Sequence, residues 1–183
     1  MKVFARKKEE PCCSCDCSEK SEDKVLVEYL YLDLNTCERC IGTDSVLDEV
    51  MFVLTPALRL AGYDVEYRKA EMASAELAVK HRFLSSPTIR VNGKDICDSV
   101  QENNCGCCGE ISGSNVDCRV FEHKGETYEV PPKDMLARSI LGAVFDKNDG
   151  GSICGKYELP ENLRAFFEGK KNVSSCKCGG GCC

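Results

Sequence analysis

The spacing of apolar positions changes several times along the chain, and each change marks an element. Val25, Leu26, Val27, Tyr29, Leu30, Tyr31, Leu32 and Leu34 form an almost uninterrupted apolar run, which predicts a central strand buried on both faces. Beyond Thr36, a candidate N-cap, the spacing becomes helical, with Leu47, Val50, Met51, Leu54 and Leu58 on one side. This helix is expected to kink near Pro56 and to end at Ala61, before Gly62. Residues 63–68 alternate as a second strand, and residues 73–83 read as a helix with Leu77 and Ala78 inward. Asn92-Gly93 fits a type I′ turn, so residues 88–91 and 94–96 should pair antiparallel. A second hairpin, 118–123 with 126–130, turns at Lys124-Gly125. Pro131-Pro132 opens a helix with Leu136, Ile140, Leu141 and Val144 on one side, closed by Asp149-Gly150-Gly151. Residues 160–168 form a short amphipathic helix presenting Leu163, Phe166 and Phe167. Strands alternating with helices predict an α/β fold.

Composition changes this picture at the two ends. Sixteen of the 183 residues are cysteine, and eight of these lie in segments almost free of large apolar side chains. Such segments cannot bury enough surface to offset the entropy of ordering. The expected organisation is a flexible Cys-rich tail at 1–23, a domain at 24–169 with a Cys-rich insert at 97–118, and a flexible Cys-rich tail at 170–183. Lys+Arg 24 against Asp+Glu 30 gives a net charge of −6, which argues against a nucleic-acid partner. The longest apolar stretch, near residues 50–54, is too short to span a bilayer, and the first ten residues lack the apolar core of a secretory signal. The expectation is a cytoplasmic protein with no membrane partner. Structural disulfides are rare in that compartment, so the cysteines point to metal ligation or thiol redox chemistry.

Cys37-Glu38-Arg39-Cys40 stands at a predicted helix start. There the free N–H groups and the helix dipole favour a thiolate. Cys37 is expected to be the first helical residue, exposed and acidic, with Cys40 one turn inward to resolve a mixed disulfide. Arg39 should lower the thiol pKa and Glu38 raise it. The alternative reading of the same pair is half of a metal site; the spacing alone does not separate the two, and the strand–motif–helix context favours redox. In the insert, Cys105 and Cys108-Gly109 have the form of a metal knuckle. With Cys97 and Cys118 they offer four thiolates for a tetrahedral site, leaving Cys107 as a spare. A local zinc or disulfide clip is the plainer reading of the same residues. Strand order places the insert at the sheet end that carries Cys37, so the insert cysteines either relay electrons to Cys37 and Cys40 or share a soft metal with them. Cys12, Cys13, Cys15 and Cys17 in one tail, and Cys176, Cys178, Cys182 and Cys183 in the other, have short spacings that suit soft ions: Cu(I), Zn, Cd, Hg, arsenite or iron–sulfur clusters. Cys154 reads as an incidental thiol. His81 and His123 are too isolated for a His-based zinc site.

Residues 25–96 and the helix near 132–146 resemble the thioredoxin fold, with Cys37 and Cys40 in the active-site position. Ser86-Pro87-Thr88 looks like the cis-proline loop that faces the motif in that fold. The body also resembles a thioredoxin-like bacterial and archaeal family catalogued as a domain of unknown function. The stretches that match are Cys37 to Cys40, Ser86 to Gly93, the insert from Cys105 to Cys118, and Tyr128-Glu129-Val130-Pro131-Pro132. Glu38-Arg39 departs from the Gly-Pro of typical thioredoxins. The resemblance implies a thiol–disulfide oxidoreductase acting on protein or small-molecule thiols and disulfides, with Cys37, Cys40 and Pro87 at its centre. The alternatives are a soft-metal or metalloid binding or transfer protein for Zn, Cu, Hg or As, or an iron–sulfur electron carrier. On the first reading Cys37→Ser abolishes turnover; on the second, metal binding survives it.

Overall fold

Strand β1 (Lys24–Tyr31) lies inside a four-stranded mixed sheet in the computed structural model, which describes residues 24–97, 100–146 and 156–176. After β1 come α1 (Glu38–Leu60), β2 (Asp64–Glu71), α2 (Ala75–Lys80), β3 (Thr88–Val91) and β4 (Lys94–Asp95). The sheet order is β2-β1-β3-β4. β1 and β2 run parallel from Lys24↔Asp64 to Tyr31↔Glu71, as a helical crossover requires. β3 runs antiparallel to β1, with Val27 opposite Val91. The β3–β4 hairpin turns where expected, with φ of 52° at Asn92 and 81° at Gly93.

The insert is built from β5 (Gln101–Asn104), α3 (Gly106–Ser112) and β6 (Asp117–His123). β6 continues into the second hairpin with β7 (Glu126–Tyr128), and these strands form a separate sheet in the order β5-β6-β7. α4 (Lys133–Phe145) follows, and α5 (Glu161–Cys176) is the last described element. The mixture of helices and strands is an α/β fold with the Cys-rich insert as a subdomain.

Two cores divide the work. Val25, Val27 and Tyr29 pack with Leu47, Met51 and Leu58 of α1 and with Leu136 and Ile140 of α4. Leu30 and Leu32 instead pack with Phe83, with Leu163, Phe166 and Phe167 of α5, and with five cysteines. β1 is therefore not buried along both faces: Leu26 and Glu28 are half-buried, because α5 and the insert cover only one end of the second face.

Other differences have local causes. α1 begins at Glu38 with Cys37 as N-cap, not Thr36. Asp33 accepts the N–H groups of Asn35, Thr36 and Cys37 at 2.9, 2.5 and 3.2 Å, and this turn carries the chain past Thr36 before the helix starts. α2 is capped by Ser74, whose Oγ accepts the Leu77 N–H; Ala78 is buried, but Leu77 faces outward and is exposed. α5 continues beyond residue 170, where a flexible tail was expected, to Cys176. The expected features at 1–23, at Asp149-Gly150-Gly151, at Cys154 and at 177–183 lie outside the described residues. Among the described residues, no helix is long and apolar enough to cross a membrane.

α5 approaches α3 so closely that a Cβ on Gly169 would come within 2.2 Å of the Ser112 carbonyl oxygen. Gly142, inside α4, has open space around it. Gly169→Ala should therefore lower stability by about 1–3 kcal/mol through overpacking. Gly142→Ala should raise it by about 0.4–1 kcal/mol. Urea unfolding midpoints measure both, and equal shifts of the same sign would contradict the docking of α5.

Candidate metal centre

Two Cys-x-x-Cys motifs meet head to head. Each begins at a helix N-cap: Cys37 caps α1 and Cys105 caps α3, both in extended backbone conformation and neither making a side-chain capping bond. Cys40 and Cys108 follow one turn inside their helices. The Cys37 Sγ lies 4.0 Å from the Cys105 Sγ and 3.7 Å from the Cys108 Sγ. These three sulfurs all fall within 4.8 Å of one another, a group able to hold a metal ion. Cys118, from β6, brings its Sγ to 3.4 Å from that of Cys108. All four thiols are buried, as is Cys40, whose Sγ sits 3.4 Å from the Ser86 Oγ.

The insert is fastened over α1 by the dipeptide between the first two cysteines. Arg39 is buried, and its guanidinium donates to the Cys118 and Arg119 carbonyls at 2.8 and 3.3 Å and to the Asn104 carbonyl at 3.4 Å. It also pairs with Glu129 at 2.7 Å. One side chain thus grips both strands that present insert cysteines: Asn104 precedes Cys105, and Cys118 stands opposite Asn103 in the β5–β6 ladder. The next residue on β6, Arg119, donates its N–H to the Ser86 carbonyl at 2.6 Å. Its fully buried guanidinium reaches both carboxylate oxygens of Asp95. Ser86 precedes Pro87 through a cis peptide bond, and its Oγ also accepts the Leu32 N–H. The Cys40 carbonyl accepts the Tyr29 hydroxyl at 2.7 Å.

The thiols share charge unevenly. Hydrogen bonds from Cys105, Cys108, Cys118 and Cys40 hold the Cys37 pKa far below the usual thiol range. Hydrogen bonding from Cys108 and Cys118 lowers Cys105 from 9.0 to about 7. Cys40 is raised by its hydrogen bond to Cys37 and by burial. Cys108 is raised chiefly by Cys105, and Cys118 by Cys105 and Cys108. The anion is favoured at the two helix N-caps, and the remaining thiols act as its donors.

The geometry alters two expectations. Cys37 is fully buried as an N-cap, where an exposed first helical residue was expected, because the insert folds onto it. The sulfur grouped with Cys105 and Cys108 is that of Cys37, with Cys118 beside Cys108. Cys97 sits half-buried just after β4, with its N–H donated to Asp95. Cys107 is half-buried against the second core. Cys12, Cys13, Cys15, Cys17, Cys178, Cys182 and Cys183, and the side chain of Cys176, lie outside the described residues. The sequence reading missed Asp33, Arg119 and Glu129, and treated Arg39 only as a charge. Asp33 was legible, since an Asx turn just before a helix is a known use of aspartate. The partners of Arg39 and Arg119 lie 24 to 90 residues away and left no local signal.

The chain is an α/β domain built around a buried group of thiols. The family described as a domain of unknown function (DUF2703) matches residues 25–140, and the chain belongs to that family. The match takes in the five cysteines that are buried among the described residues, from Cys37 to Cys118. No curated protein and no solved structure matches.

The pKa directions set a sign for metal-free stability. Cys37 and Cys105 have folded-state values below the unfolded thiol value of 9.0, so each adds stability that is present above pH 9. The Cys105 contribution is lost as pH falls through about 7. Cys40, Cys108 and Cys118 are shifted up and contribute with the opposite sign, their stability present below pH 9 and lost above it. Below about pH 8 the lowered pair sets the slope, so metal-free protein should become less stable as pH falls from about 8 towards 7, and Cys105→Ser should flatten that slope. Urea midpoints across this range check it; a stability that rises on acidification would contradict it.

Proposed function

We propose that this protein binds a soft metal or metalloid cation through Cys37, Cys105, Cys108 and Cys118, in a domain of thioredoxin-like arrangement. The observation that carries this reading is the burial of Cys37 against insert thiols at 3.7–4.0 Å. In a tetrahedral thiolate site with Zn–S bonds of about 2.3 Å, neighbouring sulfurs stand about 3.8 Å apart. Cys37 stands at 4.0 and 3.7 Å from Cys105 and Cys108, a trio that fits one ion, and Cys118, 3.4 Å from Cys108, is the neighbour able to close the set as fourth ligand. A multi-iron cluster holds its cysteine sulfurs farther apart than a single ion does, so this geometry favours Zn, Cd, Cu(I) or arsenite over iron–sulfur. All-sulfur donors select that soft group over magnesium or calcium. The cysteines of the two terminal segments then serve as additional ligands for the same class of ion.

A second reading, thiol–disulfide exchange, is favoured by the Cys37-x-x-Cys40 spacing at the start of α1, with the Cys40 Sγ 3.4 Å from the Ser86 Oγ of the Ser86-Pro87 loop. Full burial of both sulfurs restricts it to compact reactants, because a protein disulfide cannot approach them.

The test uses the full-length chain with the eight terminal cysteines, Cys12, Cys13, Cys15, Cys17, Cys176, Cys178, Cys182 and Cys183, replaced by Ser. Anaerobic titration with Co(II) should reach about one equivalent, with intense thiolate-to-cobalt charge transfer. Cys37→Ser and Cys108→Ser should each weaken binding by roughly tenfold or more, while Cys97→Ser should leave it unchanged. With Cys37 in the group, the expectation that metal binding survives Cys37→Ser applies only to ions held by the terminal segments. Unaltered binding in this Cys37→Ser protein would reject the reading.

A further inference from the structure

Among the described cysteines, Cys37 belongs to two sets at once. Towards the insert, its sulfur is grouped with those of Cys105 and Cys108. Within its own helix, Cys37 at the N-cap is followed one turn later by Cys40, which stands outside that group with its Sγ 3.4 Å from the Ser86 Oγ. A bond between Cys37 and Cys40 is local to one turn of α1, so it requires no movement of the insert. A sulfur in a disulfide carries no charge with which to hold an ion. An ion bound at the centre would then face only Cys105, Cys108 and Cys118.

We propose that Cys37 and Cys40 form a two-electron switch that releases the bound cation when a peroxide links them. The proposal rests on the cluster being a soft-metal site and adds its regulation. Burial selects the oxidant, since both sulfurs are inaccessible to a macromolecular disulfide and only a compact molecule such as hydrogen peroxide can reach them. The Cys37 thiolate attacks one peroxide oxygen: an S–O bond forms, the O–O bond breaks, and hydroxide leaves to take a proton from solvent. The Cys40 sulfur then attacks the Cys37 sulfenic acid. The S–S bond forms, the S–O bond breaks, and the hydroxyl leaves with the Cys40 proton as water. Two thiols lose two electrons in all, and one peroxide is reduced to two waters once the solvent proton is counted. A small-molecule dithiol returns the pair to its reduced form by exchange. Arg39 stays on the Cys118, Arg119 and Asn104 carbonyls throughout, so the three insert thiols remain assembled for reloading.

The experiment uses the full-length chain with its eight terminal cysteines replaced by Ser, loaded with zinc and treated with one equivalent of hydrogen peroxide. A chromogenic zinc indicator follows release, and peptide mapping locates the disulfide. The parent protein should release about one zinc per chain with Cys37 and Cys40 linked. Cys40→Ser should load zinc to the same stoichiometry and release it roughly tenfold more slowly or less. Release from Cys40→Ser at the parent rate, or a disulfide confined to the insert cysteines, overturns the switch while leaving the metal site standing. Failure of the parent to load zinc overturns both, and the two failures are told apart at the loading step. If Cys40→Ser does not fold, the disulfide map of the parent alone decides.

Discussion

The central constraint is the crowding of buried sulfurs: Cys37, Cys105 and Cys108 lie within 4.8 Å of one another, and Cys118 stands 3.4 Å from Cys108. Two thiolates 4 Å apart repel by about 4 kcal/mol at an effective dielectric constant near 20, so four cannot be anionic together without a cation among them. The metal-free arrangement eases this constraint by favouring the anion at Cys37 first and at Cys105 less strongly, Cys37 opposing it there from 4.0 Å, and by favouring protons on Cys108, Cys118 and Cys40. A soft cation meets it differently, by neutralising every ligand at once. The close approach of Cys37, Cys105 and Cys108 suits this second solution.

The scaffold holds the sulfurs by backbone hydrogen bonding more than by sulfur contacts. Asp33 turns the chain into α1 and leaves Cys37 at the N-cap. Arg39 and Arg119, both buried, tie the insert strands to α1 and to the Ser86-Pro87 loop. Arg39, set between the first two cysteines, is the bolt that lets a separate three-stranded subdomain sit on the helix start. The close contact of Gly169 with Ser112 docks α5 on α3, and Phe166 and Phe167 complete the core around the thiols. On the proposed reading, metal affinity and folding are coupled, because loosening the insert moves Cys105, Cys108 and Cys118 together.

Local features were the most legible in the sequence. The Asn92-Gly93 turn, the start of α4 after Pro132 and the buried face of α5 depend on a few adjacent residues, and each lies where its pattern places it. The meeting of the insert with Cys37 followed from strand order, and the two sulfurs are 4.0 Å apart. Burial of Cys37 was not legible, because what covers it comes from residues 68 to 71 positions away. Cys97 appeared a natural fourth ligand by nearness in sequence. The ladder instead sets Cys118 opposite Asn103, beside Cys105, while Cys97 belongs to the loop after β4. Sequence distance ranks ligand candidates poorly where a hairpin and a helix cap decide which sulfurs face one another.

The central claim concerns which atoms surround one ion, and X-ray absorption at the zinc edge reads that directly. The sample is the full-length chain with its eight terminal cysteines replaced by Ser and one zinc per chain bound. The account predicts four sulfur scatterers at about 2.3 Å and no nitrogen or oxygen in the shell. A shell dominated by nitrogen or oxygen, or an unchanged four-sulfur shell after Cys37→Ser, would contradict it.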